Sequence, residues 1–389
     1  VKIGLLKERN QAEKRVALIP AAVTKLSEQG FELMVQAGAG IAAGYTDEDY
    51  IKANAKIVTD DEVFCADIIT AVNVKGAMAE YVLAMVKPQQ IIIATLDPLT
   101  QHNTIRTLAA KHVTAFGLEL VPRITRAQSM DVLSSMATIA GYKAVIMAAD
   151  KSPRLFPMMM TAAGTLKPTR AFVMGVGVAG LQACATAKRL GAVVEAYDIR
   201  PAAQEQILSV GARPVVLDIE ADHSQAAGGY AQEQSDDFIQ RQQQAMADVL
   251  AQQDVVITTA AIPGRPAPKL ITKAMVEQMK PGTIIIDLAA ETGGNCELTK
   301  LDEEVVINGV TIVGPSNIAC RAATHASQMY STNIENLLKL MTRAEGQVIL
   351  DFEDEVIKET CATHQGKIIS SRLLDLIKLD QPQATTAGV

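Results

Sequence analysis

The sequence predicts an α/β protein whose mostly parallel sheets are covered by helices, and three observations carry that prediction. Short apolar runs recur along the chain with helical stretches between them, the pattern of parallel strands joined by crossover helices. One of these runs leads directly into a glycine-rich turn that opens a helix. The 389 residues, 49% hydrophobic and 20% charged, supply apolar material for sizeable cores. At roughly 150 residues per domain, that length suggests two domains. With no Trp and 4% aromatics, the cores must rest on Ala, Val, Ile, Leu and Met.

The elements follow in order. Residues 2–6 read as a strand, and 20–30 as a helix that Pro20 can open and Gly30 can end. Residues 31–36 return to strand, AGAGIAAG at 37–44 is a glycine-rich loop, and TDED opens a short helix over 47–54. Strands follow at 66–72, 91–95 and 112–117, with a helix near 101–110. In 126–149, Met130, Leu133, Met136, Ile139, Val145 and Ile146 recur at helical spacing, so this stretch reads as a long connecting helix despite Gly141. Beyond the loop at 151–169 come strand 171–174, helix 178–190, strand 192–197 and a βα unit near 202–217. Strands at 254–259, 283–288 and 310–314 and a helix at 272–279 complete this second set. A helix over 325–343 then returns the chain to its first part. The expected division is 1–135 plus 325–380, 136–324, and a flexible tail at 381–389.

Composition excludes several functions. Lys+Arg total 36 against 43 Asp+Glu, a net charge of -7, so no nucleic-acid partner and no anionic-lipid patch are expected. No uninterrupted apolar run approaches the length needed to span a bilayer, and the opening VKIGLL reads as a strand, not a signal peptide. Cys65, Cys184, Cys296, Cys320 and Cys361 are odd in number, far apart and without a CxxC. That argues against a disulfide framework or a structural zinc, favours a reducing compartment, and leaves no metal site expected.

The strongest local signal is RAFVMGVGVAGLQACATAKRLGAVVEAYD, in which Gly175, Gly177 and Gly180 form GxGxxG between a strand and an alanine-rich helix. Gly175 permits the tight turn, Gly177 leaves room for a pyrophosphate against the backbone, and Gly180 lets helix and strand pack closely. The free N–H groups of the helix can receive phosphate charge. Asp198, 23 residues after Gly175, stands where a carboxylate takes the ribose hydroxyls and repels a 2′-phosphate, which favours NAD(H) over NADP(H). Arg200 opposes that preference, since a nearby arginine can accommodate phosphate, and an ordinary glycine-rich αβ turn is the plainer alternative. Residues 221–244 are polar, with Gly228 and Gly229 before Tyr230, and read either as a lid or as a solvated insertion. PRITRAQSMDVLSS at 122–135 gathers Arg123, Arg126, Gln128 and Asp131 at a helix start, either as ligand contacts or as a capping region. Gln128 and Asp131 are spaced to share a helical face.

Together with KERNQAEKRVALIP at 7–20, AGAG at 37–40, AAGTLKP at 162–168, GGYA at 228–231, TTAAIPGRPAPKLIT at 258–272 and DLAAETGGNCELT at 287–299, these stretches resemble the NAD(H)-binding component, domain I or alpha subunit, of the proton-translocating NAD(P) transhydrogenases, with alanine dehydrogenase a more distant relative. The resemblance reaches to about residue 350. It implies two Rossmann-like domains with parallel sheets, the first completed by the C-terminal segment. It also implies a homodimer that binds NAD(H) and exchanges hydride with NADP(H) on a partner component. A membrane-spanning proton-channel component would complete the complex and hold this chain peripherally at the cytoplasmic face of the inner membrane. Arg123, Gln128 and Asp131 match the loop that positions the nicotinamide end, with Ser134 nearby and Ser129 and Met130 in the same loop. Asp198, Ile199 and Arg200 match the adenosine-ribose region, and Val178, Gly229, Gln242 and Ala261 match other nucleotide contacts. Tyr230 matches the tyrosine of a mobile loop that closes the site.

An alanine dehydrogenase would need an acid/base group and a cation for the substrate carboxylate. Where the family's lysine and histidine fall, this chain reads IITAVN and ATLDPL, although Arg15 is retained and Lys75 and His102 lie nearby. Hydride transfer between two nicotinamides requires their C4 atoms at roughly 3–3.5 Å and no catalytic acid. A nucleotide-binding subunit without turnover is the other alternative. No second fingerprint occurs, so one chain should not hold both nucleotides in the same way.

Overall fold

Apolar runs such as IITAVN and IIIAT form strands buried on both faces, which is why they read as continuous rather than alternating hydrophobics. The computed structural model describes residues 1–217, 236–262, 264–343 and 346–374. Two compact units divide the chain, Val1–Met136 with Cys320–Val389, and Ala137–Ala319.

The first unit opens with β1 (Lys2–Leu5), α1 (Pro20–Glu28), β2 (Glu32–Gln36), α2 (Asp47–Lys52) and β3 (Ala55–Val58). It continues through β4 (Ile68–Asn73), α3 (Ala77–Met85), β5 (Ile91–Thr95), α4 (His102–Ala110) and β6 (Thr114–Gly117). Pro20 sits in the first turn of α1, where its missing N–H costs nothing. A capping box opens α2: the Asp49 N–H donates to Thr46 Oγ1 at 3.2 Å, and the Thr46 N–H donates to Asp49 Oδ2 at 2.8 Å.

The long helix, α5 (Val132–Lys151), starts six residues later than the periodicity suggests. Thr125–Met130 is instead a short 3-10 turn, and Asp131 is an extended cap residue. Gln128 and Asp131 therefore do not share a face of one α-helix. Gly141 is tolerated because a Cβ there would lie 2.1 Å from the carbonyl oxygen of Ala179. Contrary to the expectation from uninterrupted runs, α5 is long and apolar enough to cross a membrane by length and composition. Scattered Ser and Thr break the run without making it polar on average. Part of its apolar surface is packed inside protein: Val132 joins a core of the first unit, and Ala144, Val145 and Ala148 join one of the second, while Leu133 and Tyr142 are exposed.

The second unit contains β7 (Met159–Thr161), β8 (Gly164–Leu166), β9 (Arg170–Met174), α6 (Val178–Arg189), β10 (Val193–Tyr197), α7 (Ala203–Ser209) and β11 (Arg213–Pro214). It ends with α8 (Asp236–Leu250), β12 (Val255–Thr258), α9 (Lys273–Glu277), β13 (Ile284–Asp287), β14 (Glu304–Ile307) and β15 (Val310–Val313). The chain then returns to the first unit through α10 (Ala323–Leu340), β16 (Thr342–Arg343), β17 (Gln347–Val348), α11 (Glu355–Thr360), β18 (Cys361–His364) and β19 (Lys367–Ile368).

The first unit's sheet has the order β19-β18-β6-β5-β4-β1-β2-β3, parallel from β3 to β6. β18 joins β6 antiparallel, pairing Cys361 with Phe116, so the C-terminal segment does complete the first sheet. Ser327 and Ser331 of α10 accept the Val16 and Ile19 N–H groups at 2.9 and 3.1 Å and fasten the two sequence-distant parts together. The second sheet has the order β11-β10-β9-β12-β13-β15-β14, parallel except for β14. Each sheet reverses its strand order once, between β1 and β4 and between β9 and β12. Ligands of open α/β sheets sit outside the carboxyl ends of the strands at such a switch point.

Candidate functional site

In the second unit, β9 runs into the glycine turn at its switch point. Gly175 adopts φ +88°, a left-handed conformation, and its N–H donates to the Tyr197 carbonyl at 2.9 Å. A Cβ on Gly180 would lie 1.9 Å from the Gly175 carbonyl oxygen, so α6 can seat on the turn only with glycine there. Gly177 differs: a Cβ there would meet nothing within 4 Å. The space beside Gly177, at the amino end of α6, is open at the place where a pyrophosphate would meet the helix N–H groups, and the turn fits a dinucleotide. Val178, in the first turn of α6, is exposed.

Asp198 follows β10 and faces the same turn. Its carboxylate accepts the Val176 N–H at 2.7 Å and the Arg200 N–H, Nε and Nη2 at 2.9, 2.8 and 2.8 Å. Arg200 Nη2 also donates to the Val176 carbonyl at 3.1 Å. Burial acts against the Asp198 charge, but the guanidinium and two backbone N–H groups hold its carboxyl below the usual range. Ile199 between them is partly buried. Gln242 is buried on α8 and donates from Nε2 to the Tyr197 hydroxyl at 2.9 Å. Ala261 is exposed on the loop after β12.

Asn295, fully buried, is a residue that the sequence pattern does not single out. It accepts the Ala260 N–H at 3.0 Å and donates to the carbonyls of Ala260 and Pro268 at 2.8 and 2.9 Å. It thereby shapes the loop that carries Ala261, while Thr259 Oγ1 ties that loop to the Gly175 carbonyl at 2.8 Å. Buried Asp287 holds the next turn through Thr258, Ala289, Cys296 and Thr299. The signal for both is DLAAETGGNC, where a carboxylate and an amide sit among small residues.

Arg123, Gln128, Ser129, Met130, Asp131 and Ser134 lie on the first unit. Arg123, Gln128 and Ser129 are exposed, and Met130 is buried in the core. The Asp131 carboxylate caps α5, accepting the Ser134 N–H at 3.0 Å and its hydroxyl at 2.6 Å. The structure thus gives Asp131 the capping role. The Ser129 carbonyl accepts the side-chain amides of Asn333 and Asn336 on α10 at 2.8 and 3.1 Å, which pins the turn presenting Gln128. Arg126, a candidate anion partner, is paired with Asp354 at 2.6 Å. Gly229 and Tyr230 lie outside the described residues.

The corresponding switch point of the first unit is lined by the protein's own polar groups. Glu8 accepts the Val72 N–H at 2.7 Å, and Glu119 accepts the Leu96 and Asp97 N–H groups at 3.1 and 2.7 Å. The Tyr330 hydroxyl donates to the Val72 carbonyl at 2.8 Å and accepts the Thr95 N–H at 3.1 Å. Arg15 is clasped by Glu13 through two bonds at 2.8 and 2.7 Å, and the Cys320 thiol reaches the same carboxylate at 2.9 Å. Burial and neighbouring Glu13 push the Glu8 carboxyl up to about 8, against the pull of the Val72 and Asn73 N–H groups and of Arg15. Burial, with Asp97 beside it, pushes Glu119 up to about 7.

Two family models match the chain: the alanine dehydrogenase/PNT N-terminal domain over residues 4–140 and the C-terminal domain over residues 144–371. An NAD(P) transhydrogenase subunit alpha protein of Rhodospirillum rubrum is 44% identical over 379 residues, covering 96% of this chain and 99% of that protein. The chain belongs to the NAD(P) transhydrogenase alpha-subunit family. A crystal structure of transhydrogenase from Sinorhizobium meliloti superposes with a TM-score of 0.83 at 41% identity, covering 96% of this chain and 100% of that one. L-alanine dehydrogenase, at 21% identity, shares the fold with a TM-score of 0.80, covering 97% of this chain and 99% of that one. As a member of this transhydrogenase family, the chain is an oxidoreductase subunit.

The two glycines of the turn should respond differently to the same methyl group. Gly180→Ala should lower stability by about 3 kcal/mol through its backbone clash. Gly177→Ala should leave the melting temperature unchanged yet weaken NADH binding by about tenfold or more; denaturant melts and NADH titrations of both variants check this. Glu8 and Glu119 bind a proton more tightly folded than unfolded. Their contribution is complete below the ordinary value of 4.5 and is lost as pH rises through about 7 to 8. The melting temperature of Glu8→Gln relative to the parent should therefore rise between pH 5 and pH 8.5, as thermal scans across that range would show.

Proposed function

We propose that this subunit binds NAD(H) and exchanges hydride with NADP(H) held by a partner component, in a complex whose membrane component couples the exchange to proton translocation. The observation that carries the reading is the open space at Gly177 beside a carboxylate at Asp198, on a family whose members are named as transhydrogenase subunits. Gly175, Gly177, Val178 and Gly180 would receive the pyrophosphate. Asp198, Ile199 and Arg200 would line the adenosine-ribose region, with Gly229, Gln242 and Ala261 at further nucleotide contacts. Arg123, Gln128, Ser129, Met130 and Asp131 would form the nicotinamide loop, with Ser134 fixing Asp131 and Tyr230 closing the site.

When bound, NADH supplies hydride from its nicotinamide C4 to the acceptor ring, with no proton exchanged at either carbon. The chain's task is then to orient and to exclude water, and the first unit's loop suits this. The pinned turn presents the Gln128 amide to a carboxamide, and the Asp131 charge is committed to capping. An alanine dehydrogenase chemistry is disfavoured because Arg15 is already engaged by Glu13.

The β7–β8 hairpin supports a homodimer. Every residue of both strands is exposed, Met160 at 78%, and an unpacked two-stranded hairpin is marginal alone. We infer that a second copy covers it, and that partner subunits hold the assembly peripherally at the cytoplasmic face of the inner membrane.

The test mixes the purified chain with the NADP(H)-binding component and follows hydride passing from NADH to NADP+. Exchange is expected. Its absence, or NAD+ reduction driven by alanine in the chain alone, overturns the reading. Gln128→Asn should slow exchange by about 100-fold while NADH affinity changes by no more than about threefold; single-turnover rates and equilibrium titration separate the two quantities.

A further inference from the structure

Asp198 has room for about four hydrogen bonds, two per carboxylate oxygen. Four N–H donors already take them: two from the backbone at Val176 and Arg200, and two from the Arg200 side chain. The backbone pair fixes where the carboxylate points. The guanidinium pair occupies the remaining lone pairs, which are the ones a ribose would use. The same guanidinium donates to the Val176 carbonyl, inside the glycine turn, so it ties Asp198 and the turn together. Arginine at this place is usually read as a cation that donates to a phosphate. Here its charge is turned inward, onto the group that selects the cofactor.

We infer that Arg200 is an affinity-setting residue, an internal competitor that must release Asp198 before the adenosine ribose can bind. This rests on the NAD(H)-binding reading above and adds a cost to it. The binding-competent state is the fraction of molecules in which the guanidinium has swung away, and apparent affinity is reduced by that fraction. Two charge-assisted bonds held in a fork give the closed state its preference. The released guanidinium stays beside the bound dinucleotide, and its return to Asp198 opposes rebinding of the ribose. A subunit that must take up one oxidation state of the nucleotide and give up the other in every cycle is served by such a limit on affinity.

The test is NADH titration by fluorescence of the full chain, the parent against Arg200→Met and Arg200→Lys, with folding checked by circular dichroism and melting. Methionine keeps the length of the stem and removes the fork. On simple charge grounds, losing a cation should weaken binding of an anionic dinucleotide. The opposite is expected here, a tightening of about tenfold, with lysine, a cation without the fork, falling between. With an NADH analogue lacking both the 2′- and the 3′-hydroxyl of the adenosine ribose, the gain should shrink to less than about threefold. Unchanged or weaker NADH binding in Arg200→Met overturns the proposal, and so does a gain that is as large for the deoxy analogue. If methionine fails the folding check, the lysine variant decides on the same criteria. A parent chain that does not bind NADH at all is a distinct result, which overturns the NAD(H)-binding reading rather than the role of Arg200.

Discussion

The second unit of this protein depends on one steric constraint, the approach of α6 to the turn after β9. With 1.9 Å between a hypothetical Cβ at position 180 and the Gly175 carbonyl, no other residue lets the helix sit where it does. Because α6 is seated there, its amino end points at open space, Val176 N–H meets Asp198, and Thr259 reaches the Gly175 carbonyl from the neighbouring strand. Close packing at one glycine thus leaves room at the next, and that room is what a ligand can use.

The two units share a strand order and use it in opposite ways. In the second, the switch point is bordered by glycines and by a largely buried carboxylate that faces the turn. In the first, the equivalent place is packed with Glu8, Glu119, Tyr330 and the Arg15–Glu13 pair. A fold of this kind does not by itself make a binding site; side-chain volume and charge pairing decide. The functional candidates of the first unit are instead displayed on the turn before α5, which two asparagines of α10 hold by a single carbonyl.

Elements with strong local codes are legible in the sequence, and those completed by distant partners are not. Pro20, the Thr46–Asp49 box and GxGxxG announce their structures within a few residues. Periodicity misplaces the start of α5 because Met130 continues the apolar spacing although its backbone is in a 3-10 turn. It is buried by packing onto the core, not by lying on the helix. β14 holds Val305, Val306 and Ile307 but is half-exposed and antiparallel, and β18 has only Cys361 and Ala362 as apolar residues and pairs with the edge of β6. At the site, the glycines and Asp198 are visible as a spacing. That Asp198 is claimed by Arg200, Arg126 by Asp354 and Arg15 by Glu13 is not, because charge pairing depends on which side chains the fold makes neighbours.

The return of the chain to β6 has a consequence for how the molecule is made. Synthesis proceeds from the amino end, and all strands of the second sheet leave the ribosome before β18 exists. The inserted unit can finish folding while its host waits, with one flank of the host's sheet unpaired and open to wrong partners. Growth of the nascent polypeptide therefore permits an order of assembly in which the inserted unit matures first and the sheet of the first unit closes last.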